Sequence, residues 1–156
     1  MRKSETNVIV QMVESKDYGS SGITSDAINL GMTDACTLVI NFGALTGNSI
    51  LLVYASAARD LTTTAIAYSY RLTAADFKVA LADQDGDAIA VAATGLTLTA
   101  TTFDHRLVMV EIDPDTMPSG KPWLTFNIDS TATVMTVGAV AMCTPRYAGH
   151  LNPSIL

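Results

Sequence analysis

Ile66-Ala67-Tyr68-Ser69-Tyr70-Arg71-Leu72 (IAYSYRL) switches between large apolar side chains and small or charged ones at every step. Successive side chains of an extended strand point to opposite faces. Ile66, Tyr68, Tyr70 and Leu72 therefore share one face, and Ala65, Ala67, Ser69 and Arg71 the other. The same period of two recurs outward along the chain. Phe77, Val79 and Leu81 alternate with Lys78, Ala80 and Ala82, and Leu96 and Leu98 with Thr97, Thr99 and Thr101. Leu124, Phe126 and Ile128 alternate with Trp123, Thr125, Asn127 and Asp129. Strands of an antiparallel sheet with one wet face carry this pattern.

Four further segments are more evenly apolar: 8–13, 37–42, 49–55 and 107–112. The stretch Thr133–Cys143 (TVMTVGAVAMC) is apolar on both faces, which suits the centre of a sandwich, a subunit contact or a single buried core strand. Turn chemistry separates these runs: GALTGN at 43–48, Asp85-Gly86, Thr94-Gly95 and Pro118-Ser119-Gly120. The spacing predicts an all-β protein, an antiparallel β-sandwich of about eight to ten strands. Helical periodicity is lacking, apart from one short turn that 73–78 could hold. No repeat or linker divides the 156 residues, so 1–156 is expected to form a single sandwich domain. Residues 1–7 and 144–156 read as arms without strand pattern, packed on neighbouring molecules or on the parent domain. Residues 14–34 read as a Gly/Ser/Asp-rich excursion.

Composition narrows the function. The chain is 49% hydrophobic and only 15% charged, more apolar than a free monomer of this size needs. Burial between subunits is the usual outlet, and an Ala-rich core the alternative. A net charge of −6 opposes nucleic-acid binding, because phosphates require a basic field. The uncharged run from Ala35 to Ala58 is long enough for a membrane span, but Asn41, Gly43, Thr46, Gly47, Asn48 and Ser49 interrupt it. It is expected to form two strands and a hairpin, with no membrane partner. Arg2-Lys3 leads into polar residues, so cytoplasmic synthesis without a signal peptide is expected.

Little in the chain suggests chemistry. Asp83, Asp85 and Asp87 flank Gly86 like the start of a Ca²⁺ loop, but Thr94 stands where the bidentate Glu should be. Asp-Gly between strands is first a hairpin turn. Asp104 and His105 would point to opposite faces of a strand, out of reach of one another. Two histidines and two cysteines with no ligand spacing do not furnish a zinc site. No metal, no cofactor and no catalytic residue is expected. Cys36 and Cys143 lie in separate predicted strands and read as buried free thiols, with a bridge between neighbouring strands as the alternative. Tyr68 and Tyr70 belong to the core. Trp123, out of phase with Leu124 and Phe126, belongs on the outer face.

Two stretches, TFDHRLVMVEID (Thr102–Asp113) and PWLTFNIDSTATVMTVGAVAMCTPRYAGH (Pro122–His150), together resemble the head decoration, or cement, proteins of tailed bacteriophages. LVINFGALTGNSI (Leu38–Ile50) adds a weaker likeness. The resemblance covers somewhat over half of the chain and rests on texture more than on a diagnostic motif. It implies a jelly-roll-like sandwich and a homo-oligomer, a trimer, at threefold positions on the outer capsid of the virion. Its partner there is the major capsid protein. Arg2, Lys3, Trp123, Pro145, Arg146 and Tyr147 are the interface candidates. A carbohydrate- or receptor-binding sandwich, or a tail or baseplate component, is the alternative.

Overall fold

The computed structural model describes residues 7–59, 61–73 and 86–147. The predicted strand 77–81, Asp83, Asp85, Arg2 and Lys3 lie outside these, as do most of both arms. Among the described residues are twelve strands: β1 (Val8–Asp17), β2 (Ile23–Thr24), β3 (Ile28–Asn29), β4 (Thr33–Leu45), β5 (Asn48–Ser56), β6 (Thr64–Ala65), β7 (Tyr68–Leu72), β8 (Ile89–Val91), β9 (Leu96–Thr99), β10 (Leu107–Ile112), β11 (Trp123–Ser130) and β12 (Met135–Pro145). Every pairing is antiparallel.

One sheet has the order β1-β12-β4-β10-β7-β8. In the other, β11 pairs with β2 and β3 on one side and β5 on the other, and β5 also pairs with β6 and β9. The chain changes sheet at almost every connection. Strands β1, β4, β10 and β12 form one four-stranded core sheet; β2/β3, β5, β9 and β11 form its partner. The orders β1-β12-β4-β10 and β2/β3-β11-β5-β9 are those of a jelly roll. Strands β6, β7 and β8 are an excursion inserted between β5 and β9, and β7 and β8 widen the first sheet.

Alternation explains the core. Leu38, Ile40 and Phe42 of β4, Val108 and Val110 of β10, and Leu124, Phe126 and Ile128 of β11 are all buried between the sheets. Tyr68 and Tyr70 join them as expected, and the Tyr68 hydroxyl donates to the Leu51 carbonyl at 2.9 Å, so its polar end is satisfied. On β12, Ala139 and Ala141 face inward beside Ile40 and Leu38 of β4. Small side chains against large ones let these two central strands fill the space without overpacking.

The structure differs from the sequence expectation in several places. GALTGN reverses the chain but makes no hairpin: β4 and β5 lie in different sheets, so Thr46-Gly47 is an arch across the sandwich. Tight packing on the β11–β12 connection holds it. Thr46 donates its N–H to the Val134 carbonyl at 3.1 Å, and a Cβ on Gly47 would come within 2.9 Å of Ala132 Cα. A turn signal marks a reversal; whether the flanking strands pair is decided by where each finds its apolar partner. Residues 144 and 145 are not arm but the end of β12, Thr144 pairing with Ala35 and Pro145 with Thr33. Proline fits there because a terminal strand position needs no N–H donor. The excursion 14–34 contains the end of β1 and the short strands β2 and β3. A helical turn at Ala100–Phe103 was not foreseen; its buried Phe103 packs near Tyr70, ring centroids 6.2 Å apart.

Asp17 fastens one corner. Its carboxylate accepts from the backbone N–H of Met135 and of Gly19, each at 2.9 Å, and these bonds hold its pKa below the usual carboxylate value. A depressed folded pKa stabilises the fold above the unfolded value, roughly 4, and this contribution fades as pH falls through the lower folded value. Asp17→Asn should therefore flatten part of the acid-side loss of stability, seen as a smaller drop in urea midpoint between neutral and acidic pH. The two phases of β11 also differ measurably. Phe126→Ala should cost about 3–5 kcal/mol in urea unfolding, and Trp123→Ala, three residues earlier on the opposite face, clearly less.

Candidate interaction surfaces

Sheet pairing sorts the outward side chains of the first sheet into three cross-strand rows. Ile9, Met142, Thr37, Glu111 and Ser69 form one; Gln11, Val140, Val39, Met109 and Arg71 the next; Gly138, Asn41 and Leu107 the third. Val39, Leu107, Met109, Val140 and Met142 are only half-buried here, and Ile9 is 55% exposed. An apolar strip thus crosses β1, β12, β4 and β10 with no layer of the described residues over it. An open depression of about 410 Å³ lies in it, lined by residues of β1, β4 and β12 that include Ile9, Val39, Gly138 and Val140. Gly138 is required by the close approach of β1, since a Cβ there would sit 2.9 Å from Ser15 Cβ. The rim is polar: Gln11 and Asn41 are exposed, and Arg71 Nε donates to Glu111 Oε1 at 3.1 Å. A contiguous apolar patch with a polar rim is the usual form of a protein-binding surface.

The outer face of the second sheet is built differently. Ser56 and Thr125 are buried there because both hydroxyls donate to the carbonyl of Leu61, whose segment folds over them. Trp123 lies on this outer face, as its phase required, half-buried between Asn29 and Ser56.

Trp123 and the Pro145–Tyr147 group meet the same connecting segment. Leu30 N–H donates to the Pro122 carbonyl at 2.8 Å, and Arg146 N–H donates to the Met32 carbonyl at 2.9 Å. A shallow depression of about 290 Å³ at this end is lined by Leu30, Gly31, Pro114 and the loop 117–122. Arg146 does more inside the molecule than its sequence position suggested. Its Nη2 donates to Asp115 Oδ1 at 2.6 Å and its Nε lies 3.7 Å from Asp34 Oδ1. Asp115 is the main reason its pKa is raised. The guanidinium ties the end of β12 to the loop after β10. Tyr147 is 54% exposed beside it.

Of the remaining candidates for chemistry, Asp104 and His105 come within ion-pair distance, and Cys36 and Cys143 meet. Asp104-His105 is on a turn, not a strand, with His105 at φ 54°. Asp104 Oδ1 accepts from Leu45 N–H at 2.8 Å, while His105 Nε2 stands 3.8 Å away, beyond hydrogen-bond length. The carboxylate therefore fastens the end of β4. His150 is outside the described residues, Asp87 is exposed, and among the described residues no three His, Cys, Asp or Glu side chains cluster as metal ligands. No described helix is long and apolar enough to cross a membrane. Cys36 and Cys143 are both buried and face one another across the β4–β12 pair, with Cys143 Sγ donating to Cys36 Sγ at 3.4 Å. That contact, and then burial, pushes the Cys36 thiol well above its ordinary pKa.

No protein-family model matches the chain, and no curated protein is significantly similar to it. Among solved structures, chains of infectious bursal disease virus from the Gx and Gt strains are each 14% identical to it, with TM-scores of 0.21 and 0.24. They cover 89% and 96% of this chain, which spans 42% of the length of each.

The Arg146–Asp115 contact is testable as a pair. Arg146→Ala and Asp115→Ala should each lower the urea midpoint slightly, and the double variant should fall no further than the larger single effect. Additive losses would show that the two side chains act separately.

Proposed function

We propose that this chain is a structural virion protein: a jelly-roll subunit that binds the outside of an icosahedral phage capsid and cements neighbouring major capsid subunits. It acts as a homo-oligomer, a trimer, and catalyses no reaction. The observation that carries this reading is the uncovered apolar strip Ile9–Met142 and Val140–Val39–Met109 on the first sheet. Its occupant in this reading is the major capsid protein. Burial of such a strip contributes on the order of 25 cal/mol for each Å² removed from water. Its polar rim fixes orientation more than affinity. An oligomer presents the strip several times to a lattice that repeats the partner site, so modest single contacts add up to firm attachment. The acidic balance suits a place on the outside of the shell, away from packaged nucleic acid. The sequence likeness to decoration proteins agrees with each of these points.

One observation favours a second reading, a carbohydrate- or receptor-binding module. Trp123 is half-buried on the opposite outer face, near the depression lined by Leu30 and Pro122. A saccharide stacking there would change Trp123 fluorescence.

The test combines light scattering with co-sedimentation on undecorated capsid shells. The wild-type chain should be oligomeric and pellet with the shells. Val140→Asp combined with Met109→Asp should keep the circular dichroism of the fold and lose at least about tenfold in shell binding, the effect of about 1.4 kcal/mol. A stable monomer that ignores the shells would overturn the proposal, and unchanged binding by the double variant would remove the strip from it. A fluorescence response to sugars with no shell binding would favour the second reading.

A further inference from the structure

The structure assigns Cys36 and Cys143 as a modification site: we infer that they form an intramolecular cross-strand disulfide under oxidising conditions. The two residues are direct register partners on β4 and β12. Directly opposed residues of an antiparallel pair stand about 4.5–5.5 Å apart at Cα, inside the range of about 4.4–6.8 Å that disulfides span. Both side chains face the same side of the sheet, and their sulfur atoms are already 3.4 Å apart. Closing the bond needs a further approach of a little over 1 Å to reach about 2.05 Å, which rotation of the side chains can supply without moving either strand.

Among the described residues, the hydrogen-bond partner of each sulfur is the other. Each residue is 2% exposed, so a bulky thiol or a second protein chain has no path to them, and a mixed or intermolecular disulfide is disfavoured. A small oxidant is needed, and hydrogen peroxide fits. One thiol, as its thiolate, attacks a peroxide oxygen; the O–O bond breaks, leaving a sulfenic acid and one water. The second thiol then attacks the sulfenic sulfur, the S–O bond breaks, and a second water leaves as the S–S bond forms. Two thiols lose two electrons and two protons in all, and one peroxide is reduced to two waters. The pair lies two residues from the end of β12, where fraying can admit the oxidant.

The bond would close a loop across most of the fold, since the two residues are 107 positions apart. In the reducing cytoplasm the pair stays a dithiol; after exposure to an oxidising medium it locks β4 to β12. This inference does not depend on the proposed function.

The experiment treats the folded full chain with hydrogen peroxide and then counts thiols in denaturant. The count should fall from two to none, with the chain monomeric on a denaturing non-reducing gel and a Cys36–Cys143 linked peptide in the digest. The folded-to-unfolded ratio should rise by roughly a thousandfold for a loop of this length, and dithiothreitol should reverse that rise. A retained pair of thiols, sulfinic acid at either cysteine, a linked dimer, or a disulfide that lowers stability would each overturn it. The Cys36→Ser/Cys143→Ser variant should show no thiol-dependent shift, and one that did would overturn it equally.

Discussion

The pairing of β12 with β4 is the contact on which the rest of the fold depends. The last described strand is inserted between the first and β4, so that Cys143 pairs with Val8 on one side and Cys36 on the other. Until it arrives, β1 has no neighbour in its sheet and the backbone of β4 is open on that edge. The fit relies on residue size. Ala139 and Ala141 leave room for Ile40 and Leu38, and Gly138 leaves room for the bulged part of β1. Because the partners are so distant in sequence, chain-closure entropy is lost before the contact is gained.

The same insertion creates the apolar outer strip. A strand in the middle of a sheet has both edges hydrogen-bonded, so its side chains can only face the core or the outside. Inward residues of β12 meet the second sheet. Outward ones, Val140 and Met142, lie in line with Val39, Met109 and Ile9. Four strands that are each slightly too apolar for a wet face are thereby set side by side, and a modest excess on each becomes one continuous strip. On the other sheet, the outward Ile50 and Leu52 of β5 stand beside polar Asp129 and Asn127, and the Leu61 segment covers Ser56 and Thr125.

Much of this was legible before any coordinates, and what was hidden was hidden for definite reasons. Period-two runs such as IAYSYRL report that one face is buried, so the sandwich, the core tyrosines and the outward Trp123 all follow from local pattern. Three of the four evenly apolar segments, 8–13, 37–42 and 107–112, together with Thr133–Cys143, proved to be neighbours in the first sheet. Their shared composition was the signal for the outer strip, though nothing local stated that they would be adjacent. Pairing across long separations is not encoded in a window of ten residues. That is why GALTGN looked like a hairpin and serves as an arch. The contacts of Arg146 and Asp104 were hidden for a related reason: their partners, Asp115 and the N–H of Leu45, are 31 and 59 positions away.

Charge decides whether the strip can serve as a contact. The chain carries −6, and bringing two acidic surfaces together costs energy unless the charges lie more than a screening length, about 8 Å at physiological salt, from the contact. The three outward rows contain one anion and one cation, Glu111 and Arg71, and these are paired with each other at 3.1 Å. The strip is therefore locally neutral on an acidic molecule. A partner can cover it without burying an unpaired charge, which would cost far more than the apolar area returns. The net negative charge is carried outside these three rows. Among the described residues, a neutral apolar face on an acidic chain is one that a partner of either charge sign can cover at little electrostatic cost.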